Sequence, residues 1–102
     1  MPSKYRAVRT TVNGLPFASQ KEARRYQALL LLECAGRINR LELQPRFPCR
    51  VNELLVCTYV ADFRYFEDGQ FVVEDVKGMK TDVYRIKAKL VKALYGITIK
   101  EI

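Results

Sequence analysis

A chain of 102 residues, 49% of them apolar, forms one domain (1–102) with its own core; it is too short for a second and too apolar to be disordered. Eighteen Lys and Arg against 11 Asp and Glu give a net charge of +7, which points to a polyanionic partner, nucleic acid first, over a mere solubility charge. The sequence has no histidine, which excludes Ser-His-Asp and Cys-His catalysis and the histidine-metal nucleases, so any chemistry falls to carboxylates, Lys, Arg, Tyr or a hydroxyl, with a metal ion to assist.

Residues 1–11 carry Lys4, Arg6 and Arg9 with few apolar anchors and read as a basic arm or a frayed terminus. Asn13-Gly14 between Val12 and Leu15 is a two-residue hairpin signal. Ser19 followed by Glu22 is the capping-box spacing, and it predicts a helix to Ala35 that Gly36 stops. Tyr26, Leu29, Leu30 and Leu32 supply its buried side. Glu22 opens the same stripe, at i, i+4, i+8 with Tyr26 and Leu30, at the rim of the face that meets a sheet.

Ile38 to Leu43 alternates apolar and polar residues and predicts a strand. Gln44-Pro45 breaks it, and Phe47-Pro48 keeps the next stretch irregular or at an edge. Leu54 to Phe66 predicts one long strand, Glu67 to Gln70 a turn, and Phe71 to Val76 the second arm of a hairpin, ended by Gly78. Thr81 or Asp82 caps a second helix to about Tyr95, closed by Gly96. Val83, Ile86, Leu90 and Leu94 line its apolar face, with Arg85, Lys89 and Lys92 as a basic stripe beside it. Ile97 to Ile102 predicts a last strand. Cys34, Cys49 and Cys57 form no CxxC pair, so neither a zinc site nor a disulfide framework is expected; Cys34 and Cys57 read as core. The longest apolar run, Ala28 to Leu32, falls far short of the roughly 20 residues that cross a bilayer. No apolar signal core follows the first charges, so the expectation is a cytoplasmic protein without a membrane partner.

The register of the predicted hairpin carries the chemistry. A turn centred on Asp68-Gly69 sets Asp62 opposite Asp75 and Lys77 opposite Val60. Side chains alternate along a strand, so Asp75 and Lys77 share a face with Asp62, while Glu74 points to the other. Facing carboxylates repel unless something neutral or positive joins them. A divalent cation does so, as Mg2+ favours carboxylate oxygens and retains waters. A solvated surface cluster of ion pairs is the bland alternative and is equally compatible with the spacing.

Ala61-Asp62, the hairpin, and Asp75-Val76-Lys77 resemble the PD-(D/E)xK nuclease signature, with Ala in place of Pro. Phe17-Ala18-Ser19, Glu22-Ala23-Arg24-Arg25-Tyr26, Leu43-Gln44-Pro45 and Tyr59 to Tyr65 extend the resemblance across nearly the whole chain, to small phage-encoded members. It implies an α/β domain with a mixed sheet in the order α-β-β-β-α-β, here preceded by a short hairpin. It also implies catalytic roles for Glu22, Asp62, Asp75 and Lys77, with Glu22, Asp62 and Asp75 holding Mg2+ or Mn2+ and no organic cofactor. A pure capping role remains open for Glu22. The implied activity is a structure-specific DNA endonuclease that resolves four-way junctions as a homodimer, in the host cytoplasm if phage-encoded. The alternatives are a nicking endonuclease or exonuclease on linear or single-stranded DNA, or a non-catalytic nucleic-acid-binding protein. Lys4, Arg6, Arg9, Lys80, Arg85, Lys89 and Lys92 are the candidate phosphate contacts.

Overall fold

The computed structural model describes residues 9–77 and 79–102. Lys4, Arg6 and Gly78 therefore lie outside the described residues, and of the expected basic arm only its end is seen. There Arg9 is exposed, and Thr10 already belongs to strand β1 (Thr10–Val12). β1 pairs with β2 (Leu15–Phe17) through Asn13 and Gly14, both at positive φ (51° and 78°), the backbone that a two-residue hairpin demands.

Helix α1 (Gln20–Cys34) starts where the capping signal places it: the Ser19 hydroxyl accepts from the Glu22 amide at 3.1 Å. Gly36, at φ 75°, follows its end. Glu22, Ala23, Tyr26 and Leu29 are buried along one stripe, as the spacing predicts, with Leu30 and Leu32 partly covered. Cys34 is exposed, which corrects its reading as a core residue: it sits in the last turn, past the edge of the sheet-facing stripe.

β3 (Asn39–Leu43), β6 (Phe63–Glu67), β7 (Gln70–Asp75) and β8 (Lys100–Glu101) form a four-stranded sheet in the order β3-β6-β7-β8. The first three are antiparallel neighbours and β8 runs parallel to β7, so the sheet is mixed and the fold is α+β. The β6–β7 register pairs Phe63 with Glu74 and Glu67 with Gln70, as the Asp68-Gly69 turn predicts.

The expected long strand from Leu54 to Phe66 is interrupted. β5 (Leu54–Val60) pairs with β4 (Arg46–Val51), and β6 pairs with β3, yet both ladders belong to one antiparallel offset: Leu43 faces Phe63 and Arg46 faces Val60. Between them, Gln44 N–H donates to the Asp62 carbonyl and Ala61 N–H to the Pro45 carbonyl. The two arms are a single bent hairpin, with its bend at Gln44-Pro45 and Ala61-Asp62. Pro45 offers no N–H, and Gln44 takes φ 51°, so the ladder swings out of the sheet there. Residues 46–51, expected to be irregular or at an edge, form a strand in a two-stranded edge pair, which is why Pro48 is tolerated.

The sheet has two covered faces. On one, α1 packs Ala23, Tyr26 and Leu29 against Phe63, Tyr65 and Ile38. On the other, β4 and β5 join helix α2 (Asp82–Tyr95) in a cluster of Phe47, Cys49, Tyr59, Ala61, Val73, Tyr84 and Val91. α2 begins at a Thr81 cap and ends on Gly96 at φ 71°, as expected. Its buried stripe is not the expected one: Val83 is 62% and Ile86 60% exposed, Leu94 is exposed as well, and Tyr84 and Val91 are buried instead. Tyr84 wins because its ring packs near Tyr59 while its hydroxyl reaches Glu101, a partner no aliphatic side chain can satisfy. Cys57 is only partly buried, at the margin of this cluster. No helix among the described residues is long and apolar enough to cross a membrane.

Candidate active site

The bend puts a polar centre at one end of the sheet. Asp62 is the last residue before β6, and its backbone N–H still donates to the Glu74 carbonyl at 3.2 Å. Its side chain turns across β7, where Oδ2 accepts from the Val76 amide at 2.7 Å. Asp75, the last residue of β7, is 3% exposed and lies within hydrogen-bonding reach of Asp62. Lys77 Nζ stands 3.2 Å from Asp75 Oδ2, and the Tyr59 hydroxyl donates to that same oxygen. The structure thus brings Asp62, Asp75 and Lys77 together, on the face the alternation predicts.

The electrostatics follow from burial. Desolvation pushes the Asp62 carboxyl up to about 8, helped by its contact with Asp75 and by the charges of Asp75 and Glu22, against the Val76 amide, which lowers it. At neutral pH Asp62 therefore carries a proton beside Asp75. Burial likewise raises Glu22, with Asp75 adding repulsion, while the Ala18 backbone holds its charged form. Glu22 is only 9% exposed and feels the charge of Asp75, yet its carboxylate is bonded to the Ala18 backbone, just ahead of the helix cap. It is felt by the aspartates as charge and does not stand with them; among the described residues no three acidic or cysteine groups form a ready-made cation cage.

Three residues at the site escape a reading of the sequence. Tyr59 lies in an apolar strand run and reads as core; it is core by its ring and polar by its hydroxyl, which burial and Asp75 keep protonated far above the usual tyrosine range. Tyr84 sits under Lys77, with Nζ 4.2 Å from the ring centroid, and its hydroxyl donates to Glu101 at 2.8 Å. Arg25 reaches across from α1 to Glu74 with two hydrogen bonds, 2.8 and 2.6 Å. Glu74 is fully buried and also accepts from the Tyr65 hydroxyl, so this carboxylate, one residue from Asp75, is consumed in tying α1 to β7. The one clue to these partners was that a buried carboxylate must find donors.

The predicted phosphate contacts scatter. Lys80 is near the site but paired with Glu101 at 2.7 Å. Lys21, in the first turn of α1, donates to the Lys77 carbonyl at 3.4 Å and so adds an unforeseen cation beside the centre. Arg85, Lys89 and Lys92 are exposed along α2, Arg85 being 3.7 Å from Asp82.

Comparison with known families finds a match over residues 2–100 to DUF1064, described as a protein of unknown function. No curated protein and no solved structure matches the chain.

Proposed function

We propose that this chain, which belongs to the DUF1064 family, is a metal-dependent endonuclease of the PD-(D/E)xK type whose substrate is branched DNA. The observation that carries the reading is the half-buried Asp62 beside the buried Asp75, with Lys77 paired to Asp75. An acid whose ionisation is opposed by burial and by a neighbouring acid is a poor structural choice, and this one sits at one end of the sheet in a +7 domain. With β4 and β5 set aside as an insertion between β3 and β6, the helices and the four-stranded sheet follow in the order α1-β3-β6-β7-α2-β8 with a parallel last strand, which supports the same reading, since the resemblance implies that core order.

The donor set fits a hard divalent cation. Asp62 and Asp75 offer neighbouring carboxylates, where Mg2+ or Mn2+ can take the place of the Asp62 proton, and Glu22 is the third acid within electrostatic reach. When bound, such an ion polarises a phosphodiester and lowers the pKa of a coordinated water. The chain's own residues do the rest. Asp62 and Asp75 would hold the ion, and Glu22 would add negative potential from beside them. Lys77 holds its ammonium beside Asp75 and offsets charge on the phosphate under attack. Lys21 and Lys80 flank it and bind neighbouring phosphates. Symmetric cutting of a four-way junction requires two copies related by a two-fold axis, so the active form is a homodimer.

Nicking or exonuclease action on linear DNA uses the same centre. A non-catalytic nucleic-acid-binding protein is favoured by one observation, that Tyr59 and Lys77 already satisfy Asp75. Cleavage of a labelled four-way junction beside a linear duplex of the same sequence separates all three, with Mg2+, with EDTA, and with Asp75→Asn protein. Paired symmetric nicks confined to the junction, lost in both controls, are expected. Equal cutting of both substrates keeps the site and removes the junction preference. Tight binding without metal-dependent cutting rejects the nuclease.

A further inference from the structure

Asp75 meets its surroundings through two donors of different kinds. Lys77 is partly solvated and mobile in principle, as a lysine on a flexible stem. Tyr59 is the opposite: its ring is 4% exposed and wedged between Phe47, at a centroid distance of 6.3 Å, and Tyr84, at 6.2 Å. Both its rotatable angles are thus held by packing, and its hydroxyl points at Asp75 Oδ2. Tyr59 also sits on β5, in the outer part of the bent hairpin. The contact exists because the chain turns at Ala61-Asp62 and carries β5 over the face from which Asp75 projects.

From this geometry we infer that Tyr59 is a positioning residue for the site: it fixes the Asp75 carboxylate against Asp62 so that the pair is set to receive a divalent cation. The inference rests on the reading of Asp62 and Asp75 as metal ligands. Ligating carboxylates are usually held by outer hydrogen bonds, and losing one typically weakens metal binding about 10–100-fold. Oδ2 is the oxygen held by Tyr59 and Lys77, so the orientation of the whole carboxylate, and with it the place of Oδ1, is set from the apolar cluster behind it. Lys77 cannot do this alone, since its ammonium is also drawn to the Tyr84 ring.

Tyr59→Phe removes the hydroxyl and keeps the ring. Tyr95→Phe is the control, because Tyr95 donates its hydroxyl to the Pro48 carbonyl, away from the carboxylates. Each protein is titrated with MnCl2 alone in a calorimeter. The wild type and Tyr95→Phe should bind alike, and Tyr59→Phe at least about tenfold more weakly. In a cleavage assay the Mg2+ concentration for half-maximal rate should rise by a similar factor, with the rate at saturating Mg2+ largely restored. A residue that merely props up the fold would not shift the metal dependence while sparing the saturated rate. Equal Mn2+ affinity in wild type and Tyr59→Phe overturns the role of Tyr59. Absence of Mn2+ binding by the wild type overturns the reading of the site itself, and the inference falls with it. If Tyr59→Phe does not fold, the hydroxyl proton of Tyr59 in the wild type, followed by NMR, decides: Mg2+ must shift it, and a resonance that stays put rejects the inference.

Discussion

Asp62 makes the protein's stability depend on pH in an unusual direction. Burial and the neighbouring Asp75 raise its carboxyl from 3.8 to about 8 on folding, and Glu22 moves the same way. A group raised on folding stabilises the native state fully below its unfolded pKa, and that contribution fades as pH climbs through the folded value. In EDTA, melting temperature should therefore fall between pH 5.5 and 8 by about 5 °C or more, the change that roughly 1 kcal/mol produces in a domain of this size. Asp62→Asn should flatten the slope, and Mg2+ should restore stability at pH 8, since a cation replaces the proton. A melting curve that rises over this interval in EDTA would contradict the assignment. The neighbouring carboxylate behaves differently. Glu74 is fully buried, with Arg25 bidentate upon it and Tyr65 as a further donor. Arg25→Ala breaks this buried ion pair from one side and should cost about 3–5 kcal/mol in urea unfolding. Arg25→Lys keeps the charge and loses the fork, so it should recover only part of it.

At the scale of elements, the β6–β7 turn shows what a hairpin register is worth. Asp68 and Gly69 both take positive φ, 50° and 81°, and a Cβ on Gly69 would meet nothing within 4 Å. Gly69→Ala should therefore cost only left-handed backbone strain, about 1–2 kcal/mol in chemical denaturation, with the pairing of Phe63 to Glu74 unchanged. This turn is also why so much of the site was legible. Asp-Gly sets the register, strand alternation then puts Asp75 and Lys77 on one face, and no tertiary information is needed. Ser19, Gly36, Thr81 and Gly96 bound the helices for the same local reason. What depends on distant packing was not legible. The bend at Ala61-Asp62 has no breaker in its own strand; the breaker, Pro45, lies on the partner. Tyr59 meets Asp75 only because of that bend, and Arg25 meets Glu74 across 49 positions of sequence. α2 carries two apolar stripes, Val83-Ile86-Leu90-Leu94 and Tyr84-Ala88-Val91, and periodicity ranks the longer aliphatic one first. The choice was made by Tyr59 and Glu101, which only the folded chain brings beneath Tyr84.

For the whole molecule, the net charge of +7 matters less than where it lies. Two groups of described cations bear on the substrate. Lys21, Lys77 and Lys80 ring the carboxylates, whereas Arg85, Lys89 and Lys92 stand out from α2. If both sets touched phosphates, the binding footprint would span the site and the helix; if only the first did, the helix charges would act at long range and be screened within about 10 Å at 0.1 M salt. The salt dependence of binding tells the two apart, because each duplex phosphate neutralised contributes about −0.9 to the slope of log K against log salt. The measurement uses Asp75→Asn protein, so that binding is read without cleavage. The proposed reading places the substrate over the carboxylates. Lys80→Ala should then shallow the slope by close to one contact, slightly offset because Glu101 loses its partner at 2.7 Å. Joint replacement of Arg85, Lys89 and Lys92 by Ala should shallow it by nearly three contacts if α2 lies against a second arm of the DNA, as a branched substrate allows and a single linear duplex need not. The decisive comparison is thus the triple variant on a four-way junction and on a linear duplex. A loss of slope on the junction alone assigns α2 to the branch, an equal loss on both makes it part of a general backbone track, and no loss on either removes Arg85, Lys89 and Lys92 from the interface.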